Sequence, residues 1–185
     1  MKTNESIVMY VVRLAATLLI ITAVVAAALA GVNAVTAPVI AQLKADKLQQ
    51  AINEVLPGGG EAVEFTDNSG WVSAVYQSET GYAVEVTPTT GFNGAITMMV
   101  GIDTQGNVLG ISVVSHTETA GLGAVAAAKT SAGENFRGQF VGQSGSVGTA
   151  KRGTGTLDAI TGATITSEAV CDGVNAALDC VAKMG

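Results

Sequence analysis

Residues 14–43 carry no charged side chain. A helix needs about 20 consecutive apolar residues to cross a hydrocarbon core, and "LAATLLIITAVVAAALAGVNAV" is long enough to do so. The run therefore predicts one transmembrane helix over about 12–35, inside a membrane anchor at 1–37. Lys2 and Arg13 precede the run and Lys44 and Lys47 follow it, so positive charge gives only a weak vote for a cytoplasmic N-terminus. The short N-terminal tail votes the same way. The expectation is a single-pass protein of the cell (inner) membrane, with its soluble part on the extracytoplasmic side. A cleaved signal peptide is the rival, since "AAALA" and "VNAVTA" offer small residues to a peptidase. The apolar run, however, exceeds the ~7–15 residues of an ordinary signal-peptide core.

Beyond the anchor, "QLKADKLQQAINEVLP" places Leu43, Leu48, Ile52, Val55 and Leu56 at helical spacing. Residues 38–60 thus read as an amphipathic helix and linker, ended by Pro57 and the glycines 58–60. Residues 61–185 read as one domain. Strand patterns fall at 71–76, 82–86, 95–102 and 108–114, punctuated by "TTGFNG" and by "DTQGN", where Gln105, Gly106 and Asn107 make a hairpin connection. Short helices are expected near 122–129 and 134–140, and a longer one over 165–182. Residues 142–156 read as a long loop with nothing apolar enough to bury; loops of about 15 residues are usually functional or disordered. With 23 glycines and 4% aromatic residues, the fold class is α+β: a transmembrane helix, then an antiparallel sheet flanked by helices around a small-residue core.

The formal charge of −6 repels polyanions and disfavours nucleic acid. Cys171 and Cys180 lie nine positions apart in the last helix, on roughly opposite faces, which argues for two small buried residues and against a disulfide. His116 is the lone histidine, so the sequence suggests no metal site. It also suggests no catalytic nucleophile and base pair.

The chemistry concentrates in "DAITGATITSEAV", residues 158–170. Thr164, Thr166 and Ser167 crowd the start of a helix behind Gly162 and Ala163. One reading is an over-supplied N-cap, because hydroxyls accept hydrogen bonds from first-turn N–H groups. The other is that one hydroxyl is a chemical handle, approached over the bare backbone of Gly162 and Ala163. The helix N-terminus would favour a phosphate there. On the residues alone, capping stays ahead.

"DAITGAT" resembles the D-x-x-(S/T)-G-A-(T/S) acceptor motif of the FMN-binding domain family. The resemblance implies covalent FMN, joined by an FMN transferase through its phosphate to Thr164, with Asp158, Thr161, Gly162 and Ala163 completing the motif. "HTETAGLG" is similar to the H-x-E-T-P-G-L-G segment of the G subunit of Rnf complexes and the C subunit of sodium-pumping NADH:quinone reductases. There it borders the flavin ring, which implies contacts from Glu118, Thr119 and Leu122, with Gly121 and Gly123 in the same segment. Ala120 stands where the usual proline would be. Lys151 and Arg152, just before the acceptor motif, are placed to balance a phosphoester, though a solvated basic pair is the blander reading. Glu118 in turn could be a solvated acid, and His116 a capped strand end.

The compact length favours the Rnf-type subunit. The resemblance then implies an electron carrier rather than an enzyme on its own, partnered by the other membrane subunits of an ion-translocating ferredoxin:NAD⁺ oxidoreductase. A stand-alone flavinylated electron-transfer protein and a non-redox anchored assembly subunit are the alternatives.

Overall fold

The computed structural model describes residues 2–153 and 155–184. The chain divides into two compact units, Met1–Asp46 and Lys47–Gly185. A single helix, α1 (Lys2–Val55), supplies the first and runs into the second, passing through Pro38. Its apolar side chains from Ile7 to Leu43 are exposed, and it is long and apolar enough to cross a membrane. The hydroxyls of Thr17, Thr22 and Thr36 donate to the carbonyls of Arg13, Leu18 and Val32. Each is thereby satisfied within the helix, as an apolar surrounding requires.

The second unit is built on a five-stranded antiparallel meander, β1 (Glu61–Val63), β2 (Val72–Ser78), β3 (Gly81–Val86), β4 (Ile96–Asp103) and β5 (Val108–His116), paired in chain order. Successive strand residues point to opposite faces, and both faces are covered. Val75, Val84, Val86, Met98, Val100, Ile102, Val108 and Ile111 form the larger core with the apolar side of α3 (Thr164–Ala182). Ala83 and Met99 face the other way and pack on Ala51, Ile52, Val55 and Leu56 at the end of α1. A register shift between Gly101 and Ile102 leaves Leu109 as an exposed extra residue on β5. Without it Val108 and Ile111 could not share a face.

The end of α1 seats closely because β4 and β5 present paired glycines, Gly101 and Gly110, beneath Val55. A Cβ on Gly101 would collide with the Val55 carbonyl and come within 2.9 Å of the Val55 Cβ. On the same face Ser112 donates to the Glu54 carboxylate at 2.7 Å. Gly101→Ala should therefore destabilise the domain by about 1–3 kcal/mol, the usual cost of overpacking, read from a denaturant midpoint. An unchanged midpoint would mean that the helix end does not sit on the sheet.

The strand and hairpin expectations match the structure to within a residue or two, and β1 is an addition. The Asp103 carboxylate accepts from the Asn107 side chain and from the N–H groups of Asn107 and Gln105, which closes the predicted hairpin and holds this carboxyl below its ordinary range. Where helix was expected near 122–129 there is only a 3₁₀ turn, Gly123–Ala126. The next helix, α2, spans Ser131–Gly138. Between them Arg137 donates to the carbonyls of Ala126 and Ala128.

The loop at 142–156 needs correction. Val147 is buried, because the side-chain amide of Asn175 on α3 accepts from the Val147 N–H at 2.7 Å and donates to its carbonyl at 2.9 Å. A bridge from Thr149 to Leu157 and a 3₁₀ turn at Ala150–Arg152 add further order; Thr154 lies outside the described residues. Cys171 and Cys180 are both buried, since between its two ends α3 turns a stripe of Ile165, Glu168, Asp172, Asn175 and Asp179 toward the outside.

Candidate functional site

The start of α3 is made by a turn in which the Ala163 N–H donates to the Ile160 carbonyl at 2.9 Å. Gly162 takes φ +78° there, a left-handed conformation that glycine adopts without strain. The N-cap is Ala163, and no side chain caps the helix. The three hydroxyls are instead used differently. Ser167, fully buried, accepts from the Ile160 N–H and donates to the Ala163 carbonyl, both at 2.9 Å, and so fastens the turn to the helix. Thr166, also buried, donates to the Glu118 carboxylate at 2.6 Å. Thr164 is half-buried and accepts from the Lys151 ammonium at 3.2 Å.

Thr164 stands on the wall of a cavity of about 310 Å³. One wall is the α3 start, with Gly162, Ala163, Ile165 and Thr166; another is Glu118, Thr119, Leu122 and Gly123; Phe92, from the loop between β3 and β4, completes it. Glu118 joins all three. One carboxylate oxygen accepts from the Asn93 N–H at 3.0 Å, beside Phe92, and the other from Thr166. Gly123 leaves room for this pair, because a Cβ there would collide with the Glu118 carboxylate and the Thr166 hydroxyl and push them aside. His116 ends β5, and its Nδ1 accepts from the Glu118 N–H at 3.2 Å, so it serves as a local strand-end cap.

Of the residues singled out in the sequence, Glu118, Thr119, Leu122, Gly123, Gly162, Ala163 and Thr164 line this one cavity, and Lys151 reaches it through Thr164. Asp158, Thr161 and Gly121 line a neighbouring hollow of about 590 Å³ instead, with Phe136 and Gln139 of the α2 region. The Gln139 amide accepts from the Asp158 N–H at 2.7 Å and donates to its carbonyl at 3.2 Å, gripping the backbone where the motif begins. The Arg152 side chain lies outside the described residues. Sequence reasoning missed Phe92, Asn93 and Ile165. "TTGFNG" was legible only as a turn, although an aromatic between two turn glycines is itself a signal.

The FMN-binding domain family matches residues 91–179, from the Phe92 loop through most of α3. That match defines the class of fold around the cavity. The RnfG N-terminal region matches residues 1–55, which is α1. Over almost its full length the chain is similar to the G subunit of the Na⁺-translocating ferredoxin:NAD⁺ oxidoreductase complex of Acetobacterium woodii, 34% identical with 95% of each chain covered. It is 32% identical to the G subunit of the proton-translocating ferredoxin:NAD⁺ oxidoreductase complex of Clostridium ljungdahlii, covering 82% of this chain and 80% of that one. It is also 32% identical to the G subunit of the ion-translocating oxidoreductase complex of Methanosarcina acetivorans, covering 89% and 91%. The chain belongs to the family of G subunits of Rnf-type oxidoreductase complexes.

The residues present fit FMN. The cavity falls in the size range of ligand pockets, roughly 300–1,000 Å³, and its mix of apolar walls and few polar groups is usual for them. The first-turn N–H groups of α3 have no partner within the helix and suit a phosphate. The Lys151 ammonium lies at the same point.

Proposed function

We propose that this chain is the electron-relay subunit of a membrane-bound, ion-translocating ferredoxin:NAD⁺ oxidoreductase, and that it carries FMN joined through its phosphate to Thr164. The observation that carries the reading is the division of labour among the three hydroxyls. Thr166 lines the same cavity, but it and Ser167 are buried and donate their hydroxyl protons to Glu118 and to the Ala163 carbonyl, whereas Thr164 is half-buried on the cavity wall and its hydroxyl accepts from the exposed Lys151. When bound, FMN supplies one- and two-electron redox chemistry that no side chain here provides.

The chain's own residues hold and shield the group. Lys151 and the N-terminus of α3 balance phosphate charge beside Thr164. Gly162 and Ala163 keep the approach to that hydroxyl clear, and Leu122 and Ile165 offer apolar cover. Glu118 keeps the walls in register, and Thr119 borders the same space. Asp158, Thr161 and Gly121 lie on the adjoining hollow, the surface an FMN transferase would meet when it reads the motif. In this reading the domain lies on the extracytoplasmic side of the cell membrane, anchored by α1 and partnered by the other membrane subunits; the length and apolar character of α1 support the anchor.

The test is the full-length protein from its native membrane. Its intact mass should exceed that of the chain by one phosphoester-linked FMN, and visible absorbance should stay with the denatured protein. A thiol reagent that cannot cross membranes should label Ser146→Cys, in an exposed stretch, on intact spheroplasts. A chain mass without flavin would leave a non-redox assembly subunit. Labelling only after the membrane is opened would reverse the topology.

A further inference from the structure

We propose that Phe92 is a further flavin-contact residue, and that Asn93 is the positioning residue that holds it over the cavity. This rests on the reading that FMN occupies that space. Among the described residues beyond α1, the exposed large apolar side chains are Phe92, Leu109, Leu122, Val141 and Ile165. Three of these five, Phe92, Leu122 and Ile165, line the same cavity. Phe92 is the most open of the three, 64% exposed, although an aromatic side chain contributes more by burial than almost any other.

The loop that carries Phe92 is held in place. Asn93 makes three bonds to three consecutive residues of the facing segment. Its carbonyl accepts from the Thr117 hydroxyl at 2.9 Å, its N–H donates to Glu118 at 3.0 Å, and its side-chain amide donates to the Thr119 hydroxyl at 3.0 Å. Gly91 brings the backbone in close, since a Cβ there would lie 2.8 Å from the Glu118 carboxylate and collide with the Gly94 carbonyl. Gly94 takes φ +124°. None of these contacts buries Phe92. An aromatic side chain fixed at a cavity mouth but left open to water is matched by a planar aromatic ligand, which it can cover by offset stacking or edge contact. The isoalloxazine ring of FMN is such a ligand.

The experiment compares full-length Phe92→Ala, Phe92→Trp and Asn93→Ala with wild type, after intact mass has established flavin content. All should carry flavin as wild type does, because attachment is at Thr164. Phe92→Trp should lower flavin emission severalfold, since an oxidisable indole in contact with an excited flavin quenches it by electron transfer. Phe92→Ala should roughly double the slope of iodide quenching, and Asn93→Ala should move it in the same direction with Phe92 still present. Flavin-loaded variants whose emission and iodide quenching match wild type would overturn this assignment alone. A wild type without flavin would overturn it together with the reading on which it rests.

Discussion

Thr164→Val should abolish covalent flavin completely while leaving the fold intact. Valine keeps the β-branched shape, so the first turn of α3 loses only an oxygen. In the structure that oxygen accepts a hydrogen bond from an exposed lysine, so against flavin-free wild-type chain the change in stability should stay within about ±0.5 kcal/mol, as for most surface substitutions. The contrast with its neighbours makes the prediction sharp. Thr166→Val should keep the flavin and lose stability, because it strips the buried partner from Glu118. Ser167→Ala should do likewise, by releasing the Ile160 to Ala163 turn. Peptide mapping decides the matter: flavin on a peptide from Thr164→Val, at Thr166 or Ser167, would sink the assignment.

The same three hydroxyls show what a sequence can and cannot express. Their crowding at a helix start was visible, and capping was the simplest physical use for them, yet the N-cap is Ala163 and none of them caps. What each one does is decided by a partner elsewhere in the chain. Thr166 meets Glu118, 48 residues earlier, and Val147 meets Asn175, 28 residues later. Such pairs leave no periodicity for a reader to detect. Strands and helices do, because burial of one face imposes a period of 2 or 3.6; hence β2 to β5 and α3 were legible, along with the amphipathic end of α1. Phe92 was hidden for a different reason. It breaks no rule of a Gly and Asn turn, and its exposure appears only once the loop is seen stapled by Asn93.

Glu118 is where those long-range bonds meet, and its two nearest replacements should part company. Both carboxylate oxygens are occupied, one by the Asn93 N–H and one by the Thr166 hydroxyl, and the side chain is 8% exposed. In Glu118→Gln the amide oxygen can still accept from Asn93. The amide N–H can donate to the Thr166 oxygen, since a hydroxyl both gives and takes; stability should therefore fall little. Glu118→Ala leaves the Thr166 hydroxyl, 1% exposed, without its partner, a loss of about 1–3 kcal/mol for a buried polar group left unsatisfied. Asn93 is exposed, and water can replace that bond at small cost. The larger consequence is geometric. With the tie gone, the Phe92 loop and the start of α3 are no longer held to the segment between them, and the cavity loses its fixed width. Flavin content should stay near wild type in both variants, while the visible circular dichroism of the flavin should collapse in Glu118→Ala and persist in Glu118→Gln. Equal unfolding midpoints and equal dichroism for the two would mean that this carboxylate is solvated and that the walls are held by something else.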